Sequence, residues 1–237
     1  MTNPFYSSEQ SELSKAVLQE VLSAVPAAVL IGGWGTWVRV GGPMSHDIDL
    51  ILSRAELARL GEMVEDVSVS RHLGGTKWRG TWRSVHLGLY VPYQSRLGTN
   101  LQLRVEDLFT QAETANGYRV LTVPAHVATK VAALLDRPDS LPGEKDRGEI
   151  LRLLDDPAAA SAPTVIAMSS CRAPSEVAAL LRATFGFLAD PPSLNRGQRS
   201  RLREVERSWQ EATARAAELG LFREASPAPG HDRGPSL

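Results

Sequence analysis

The chain has 237 residues, 43% apolar and 22% charged, with a formal net charge of −1; that suits one globular domain, or a core with a smaller appendage. One cysteine, Cys171, excludes a disulfide framework and fits a reducing compartment. No apolar run approaches the roughly 20 residues that span a bilayer, and MTNPFYSSEQSE lacks the charged start and apolar core of a secretory signal, so the expectation is a cytoplasmic protein with no membrane partner.

Leu13, Val17, Leu18, Val21 and Leu22 recur at helical spacing and predict a first helix, with Ser7 and Gln10 as a capping box and Pro26 as its end. AAVLI then reads as a short buried strand running into Gly32-Gly33, TWVRV as a short helix, and DIDLIL as a second strand. Ser53 and Glu56 form the capping box expected of a helix over 54–63. VSVSRHL, KWRGTWR and VHLGLYV predict two or three strands, with Gly74-Gly75 as a hairpin turn. Residues 106–115 read as helix and YRVLTV as a last strand.

Pro124 suits the first turn of a helix running to about Asp136. RPDSLPGEK reads as a loop, and a further helix covers about 144–155. DDPAAASAPT has the composition of a linker, after which PSEVAALLRATFGFL and a long segment over 193–220 are helical. ASPAPGHDRGPSL is too poor in apolar residues to pack. The fold class is therefore α/β (α+β): a core with a mixed sheet over 1–155, a helical C-terminal domain over 156–224, and a disordered tail over 225–237.

Asp47 and Asp49 stand in the apolar surroundings of the second strand. Residues two apart on a strand share a face, so both carboxylates project together while Ile48 faces the opposite, buried side. Their mutual repulsion is relieved by a divalent cation, and paired oxygen donors suit Mg²⁺; two solvent-facing aspartates at a strand end are the bland alternative. Upstream, Gly32-Gly33 at a strand end lets backbone N–H groups approach a phosphate, with a helix N-terminus aimed at the same anion. Together these offer a phosphate cradle and a metal clamp one short helix apart.

Charge is unevenly spread. No acid occurs from Val67 to Val105, where Arg71, Lys77, Arg79, Arg83, Arg96 and Arg104 supply six positive charges, leaving about −7 for the rest. Such a segment reads as a face for a polyanion, with Lys77, Arg79 and Arg83 as RNA-binding candidates and Trp78 and Trp82 able to stack on bases. A charge-protected sheet edge is the other reading. Five arginines in NRGQRSRLREVER are a solvated helix face or an added RNA contact. Cys171 reads as a packing residue, Trp34 and Trp37 as helix-to-sheet packing or a cover for a nucleotide site, and the five histidines show no metal-ligand spacing.

The run "VLIGGWGTWVRVGGPMSHDIDL" resembles the signature of the DNA polymerase β-type nucleotidyltransferase superfamily, and "KVAALLDRPDSLPGEKDRGEI" is similar to the later motifs of its AbiEii/MenT toxin branch. The resemblance covers about residues 28–155. It implies a polymerase β-like nucleotidyltransferase core, with Asp47 and Asp49 holding Mg²⁺ (or Mn²⁺) as catalytic metal ligands. It also implies nucleotide contacts from Gly32, Gly33, Arg39, Ser45 and Lys130, catalytic roles for Lys130 and Asp146, and motif positions at Arg137, Lys145 and Glu149. The resemblance further implies transfer of NMP from an NTP to RNA, at the tRNA 3′ end, by the toxin of a pair with a cognate antitoxin protein. The superfamily's third carboxylate is missing from VHLGLYV, where His86 or Gly88 stands; His86 or Asp146 is then the alternative base. A small-molecule acceptor, or a non-catalytic nucleotide- or RNA-binding module, are the rival readings.

Overall fold

The computed structural model describes residues 8–70, 76–191 and 193–223. Ser7 of the expected capping box, the Gly74-Gly75 turn, Arg71 and the tail from residue 224 lie outside the described residues. Helix α1 (Ser8–Ala24) leads to β1 (Val29–Ile31), which turns without a loop into α2 (Gly32–Val40). The helix therefore starts four residues earlier than TWVRV suggested, and Gly32, at φ +65°, makes the abrupt turn. A side chain is strained in that conformation.

β2 (Ile48–Ile51) is followed by α3 (Arg54–Gly61), whose Ser53–Glu56 capping box forms as expected. β3 (Glu65–Ser70), β4 (Lys77–Trp82) and β5 (Val85–Tyr90) come next, then a small antiparallel pair, β6 (Arg96–Leu97) and β7 (Leu103–Arg104). The segment expected as one helix over 106–115 divides into α4 (Val105–Phe109) and β8 (Ala112–Ala115). Asn116-Gly117 causes the division. Both residues have positive φ, and they form the two-residue turn that pairs Ala115 with Tyr118 of β9 (Tyr118–Leu121).

α5 (Val123–Asp136) has Pro124 in its first turn, as expected. α6 (Leu141–Leu153) begins inside the segment read as a loop, because Ser140 caps it by accepting the Gly143 N–H. The segment read as a linker is a 3₁₀ turn (Pro157–Ser161) and the start of α7 (Ala162–Ser169), with Ala159 and Ala162 buried. Small alanines there permit close packing against α5 rather than freedom. α8 (Pro174–Ala189) and α9 (Arg196–Glu218) complete the described chain.

The sheet is mixed and seven-stranded, in the order β3-β4-β5-β2-β1-β9-β8. β2 lies antiparallel to β1 and parallel to β5, while β1 lies parallel to β9. Strand alternation sorts the two faces. Leu30, Ile48, Leu50, Leu87 and Leu89 join Val17, Leu18 and Val21 of α1 in one apolar cluster. Val29, Ile31, Ile51 and Leu121 join α5 and the helices beyond it in the other, which extends to Phe185 and Trp209 in edge-to-face contact at 5.2 Å. Asp49 shares its strand face with Ile51, but it stands at the strand's beginning, where the helical layer has not yet covered the sheet. No helix of the described residues is long and apolar enough to cross a membrane.

Candidate active site

A cleft of about 900 Å³ opens where β1, β2, α5 and α6 converge. Gly32, Gly33, Ser45, Asp47, Asp49, Lys77, Lys130 and Asp146, eight of the residues singled out from sequence, line it together. Asp49 is clasped between two backbone segments: a Cβ at Gly32 would lie 2.6 Å from its Oδ2, and one at Gly88 would lie 2.2 Å from its Oδ1. β5 pairs with β2 so that Gly88 is the register partner of Asp49. The strand position expected for a third acid is therefore filled by Asp49's own carboxylate.

Lys77 supplies the next charge. Its Nζ lies 3.7 Å from Asp49 Oδ1, and it sits over the Tyr90 ring at 4.7 Å. Burial pulls the Lys77 pKa down, but Asp49 and Tyr90 outweigh burial and raise it. Tyr90 is pushed up by burial first and then by Asp49. At the neighbouring wall a Cβ on Gly33 would lie 2.7 Å from Ser45 Oγ and 3.0 Å from Lys145 Nζ, so that hydroxyl and ammonium meet at the first turn of α2. Burial lowers the pKa of Lys145, with nearby Lys130 adding to it against the attraction of Glu149. His46 is also lowered by burial, against the pull of Asp47.

Behind this front lies a buried ion network. Lys130 Nζ contacts Asp146 Oδ1 at 3.1 Å and pairs closely with Glu149, and all three side chains are nearly inaccessible. Arg137, half exposed at the rim, donates to Asp146 Oδ2 from Nε at 2.9 Å and from Nη2 at 2.7 Å. Burial works to lower the Lys130 pKa, yet Glu149 and Asp146 together raise it. Both Asp146 oxygens are engaged by cations, an arrangement that suits an anchor better than a proton acceptor. His86 is exposed and does not line the cleft.

Other expected residues are turned elsewhere. Arg39 donates to the Leu121 carbonyl and pairs with Glu113 Oε1 at 2.6 Å, beside β8 and β9, and does not line the cleft. The acid-free stretch is not one basic face. Arg83 pairs with Glu20, Arg96 with Glu106 and Arg104 with Asp107, while Lys77 meets Asp49. Of the five described cations there, only Arg79 has no ion pair among the described residues. Glu20 of α1 and Asp49 of β2 come from far off in sequence, whereas Glu106 and Asp107 of α4 stand just past the end of the acid-free stretch, where a count bounded at Val105 stops short of them. Trp82 donates to Glu20, and Trp78 is half-buried against the α1-side cluster. Trp34 is fully buried, donating to Ser14 Oγ and packing edge-to-face on Trp37, which is helix packing as expected.

His126 is a participant that sequence reasoning missed. It has 0% exposure on α5, and its Nε2 lies 3.1 Å from the Gly32 carbonyl and 3.0 Å from Thr36 Oγ1. A carbonyl only accepts, so Nε2 carries the proton that pins the turn at Gly32. Burial first, and Lys130 second, lower its pKa to about 3. A lone histidine within an apolar helix gave no signal of this contact.

Among the described residues, no group of three or more His, Cys, Asp and Glu side chains could hold a metal ion. Asp47 and Asp49 remain as the oxygen donors, a set that suits a hard cation completing its shell with water and substrate phosphates.

No protein-family model matches the chain, and no curated protein matches it. Among solved structures, JHP933 from Helicobacter pylori aligns with a TM-score of 0.42 at 12% identity, over 90% of this chain and 95% of that one. An antigenic nucleotidyltransferase-like protein from Paracoccidioides brasiliensis aligns with a TM-score of 0.37 at 15% identity, over 94% and 98%.

Proposed function

We propose that the chain is a nucleotidyltransferase that moves NMP from an NTP to an acceptor hydroxyl. The observation that carries this reading is the shared cleft: the α2 N-terminus at Gly32-Gly33 and the carboxylates of Asp47 and Asp49 open onto one space. The backbone N–H groups of that helix terminus and the Ser45 hydroxyl suit phosphate oxygens. Lys145 and the rim guanidinium of Arg137 add positive charge toward the triphosphate. Lys130, held by Asp146 and Glu149, fixes the wall that carries them. Asp47 and Asp49 would hold Mg²⁺ or Mn²⁺, which when bound supplies charge neutralisation at the triphosphate. The acceptor hydroxyl gives its proton to solvent as its oxygen bonds to the α-phosphorus, the bond from that phosphorus to the α–β bridging oxygen breaks, and pyrophosphate leaves.

The acceptor we propose is RNA, at the tRNA 3′ end, with the chain acting as an AbiEii/MenT-like toxin beside a cognate antitoxin protein. The sequence resemblance and the open cleft support this. A second reading has one observation in its favour. The basic stretch is largely neutralised from within, which suits a small-molecule acceptor as well as a polyanion. Incubation with α-labelled and γ-labelled NTPs, total RNA and small hydroxyl acceptors separates the two. The expected result is α-label in RNA and γ-label in pyrophosphate; α-label in a small acceptor gives the second reading, and label in neither refutes both.

A further inference from the structure

The glycine at 88 has a counterpart in charge. A Cβ there would meet Asp49 Oδ1 at 2.2 Å and Lys77 Nζ at 3.0 Å, so β5 has no room for an acid beside Asp49, and an ammonium reaches that corner from β4 instead. Lys77 Nζ stands 3.7 Å from the same Oδ1 and is steadied by the Tyr90 ring. We infer that Lys77 is a resident cation of the acidic pair, occupying the ground of a second metal ion, so that this cleft takes one divalent ion and not two.

Two divalent ions about 4 Å apart need bridging carboxylates and further donors to offset their repulsion. This cleft offers two aspartates, and one oxygen of Asp49 already faces an ammonium. The monovalent charge of Lys77, 3.7 Å away, offsets the charge on that oxygen. It also repels any cation that approaches from the β5 side, while Asp47 and Asp49 still line the cleft from which an ion enters. Lys77 thus sets the number of ions the site accepts. The backbone makes this a built arrangement rather than a drifting surface lysine, because Gly88 leaves space for both groups and Tyr90 lies beneath the ammonium.

The inference rests on Asp47 and Asp49 being the metal ligands, and Mn²⁺ binding followed by electron paramagnetic resonance tests the two separately. Wild type is expected to bind one Mn²⁺ per chain. Lys77→Met should bind that ion about tenfold more tightly, because the competing charge is gone. Lys77→Glu should bind two, since it supplies the missing donor. In an Asp49→Asn background the Lys77→Met gain should vanish. Two ions on wild type, or a Lys77→Glu protein that binds one ion with unchanged affinity, would overturn the inference while leaving the metal ligands in place. Absence of Mn²⁺ binding in all of these proteins would instead remove the metal reading, and the inference with it. Circular dichroism of each variant guards against loss of fold.

Discussion

Acid should loosen this protein chiefly through the imidazole of His126. His126 has 0% exposure and a pKa lowered to about 3 from 6.5, so the folded chain refuses a proton that the unfolded chain accepts. The sign follows from the proton count: stability is full above about 6.5 and is lost as pH falls from there toward 3. Each pH unit in that window removes about 1.4 kcal/mol. Between pH 6.5 and pH 5 the loss is therefore roughly 2 kcal/mol, equivalent to about 4–8 °C in Tm for a chain of this size. Urea unfolding at pH 7, 6 and 5 measures it, with His126→Gln as the comparison. Glutamine can still donate to the Gly32 carbonyl but does not titrate, so its stability should fall less steeply over the same window. Most carboxylates titrate below pH 5, and His46, also lowered by burial, contributes alike to both proteins, so the difference in slope reports His126. Parallel slopes for the two proteins would refute the assignment of His126 as a buried neutral clamp on the turn at Gly32.

Lys130→Met removes the centre of a buried network. Because Arg137 remains on Asp146 and Lys145 remains near Glu149, the cost should sit near the low end for a broken buried pair, about 3 kcal/mol, read as a lower Tm. Since the Lys130 pKa is raised above 10.5, the gap between wild type and variant should hold from neutrality upward and close only above about pH 10.5. Gly88→Ala drives a Cβ to within 2.2 Å of Asp49 Oδ1; transfer should drop at least about tenfold as that carboxylate swings aside, with circular dichroism unchanged. Arg79→Ala should lower the salt dependence of RNA binding, whereas Arg83→Ala should leave it unaltered because Glu20 already neutralises that guanidinium. Binding titrations between 50 and 200 mM salt, roughly the range over which phosphate contacts are lost, compare the slopes.

The sheet-forming half of this chain was open to reading because its signals are local. β1, β2, β4, β5 and β9 are short apolar or alternating runs, and Ser53 with Glu56 announces α3 within four residues. The same holds for the glycine pair and Asp47 and Asp49, which lie near one another in sequence as well as across the cleft. Misreadings came where a local pattern had two meanings. Residues 112–115 are fair helix formers, and only the Asn116-Gly117 turn, with β9 waiting beyond it, makes them a strand. Ala159 and Ala162 read as linker until α5 supplies a surface that needs small side chains. Charge was least legible of all. The carboxylate that neutralises Arg83 arrives through the tertiary fold, as does the ammonium beside Asp49, while Glu106 and Asp107, which pair with Arg96 and Arg104, lie just beyond the acid-free run.

The central claim is that Asp47 and Asp49 make this cleft a site of nucleotidyl transfer. The direct test pairs wild type with Asp47→Asn and Asp49→Asn, each given α-labelled NTPs, Mg²⁺ and total RNA, and measures label retained on the acceptor. Wild type should transfer label, and both variants should lose it by about 10²-fold or more while keeping their circular dichroism and Tm. Label transferred equally by all three proteins would contradict the account.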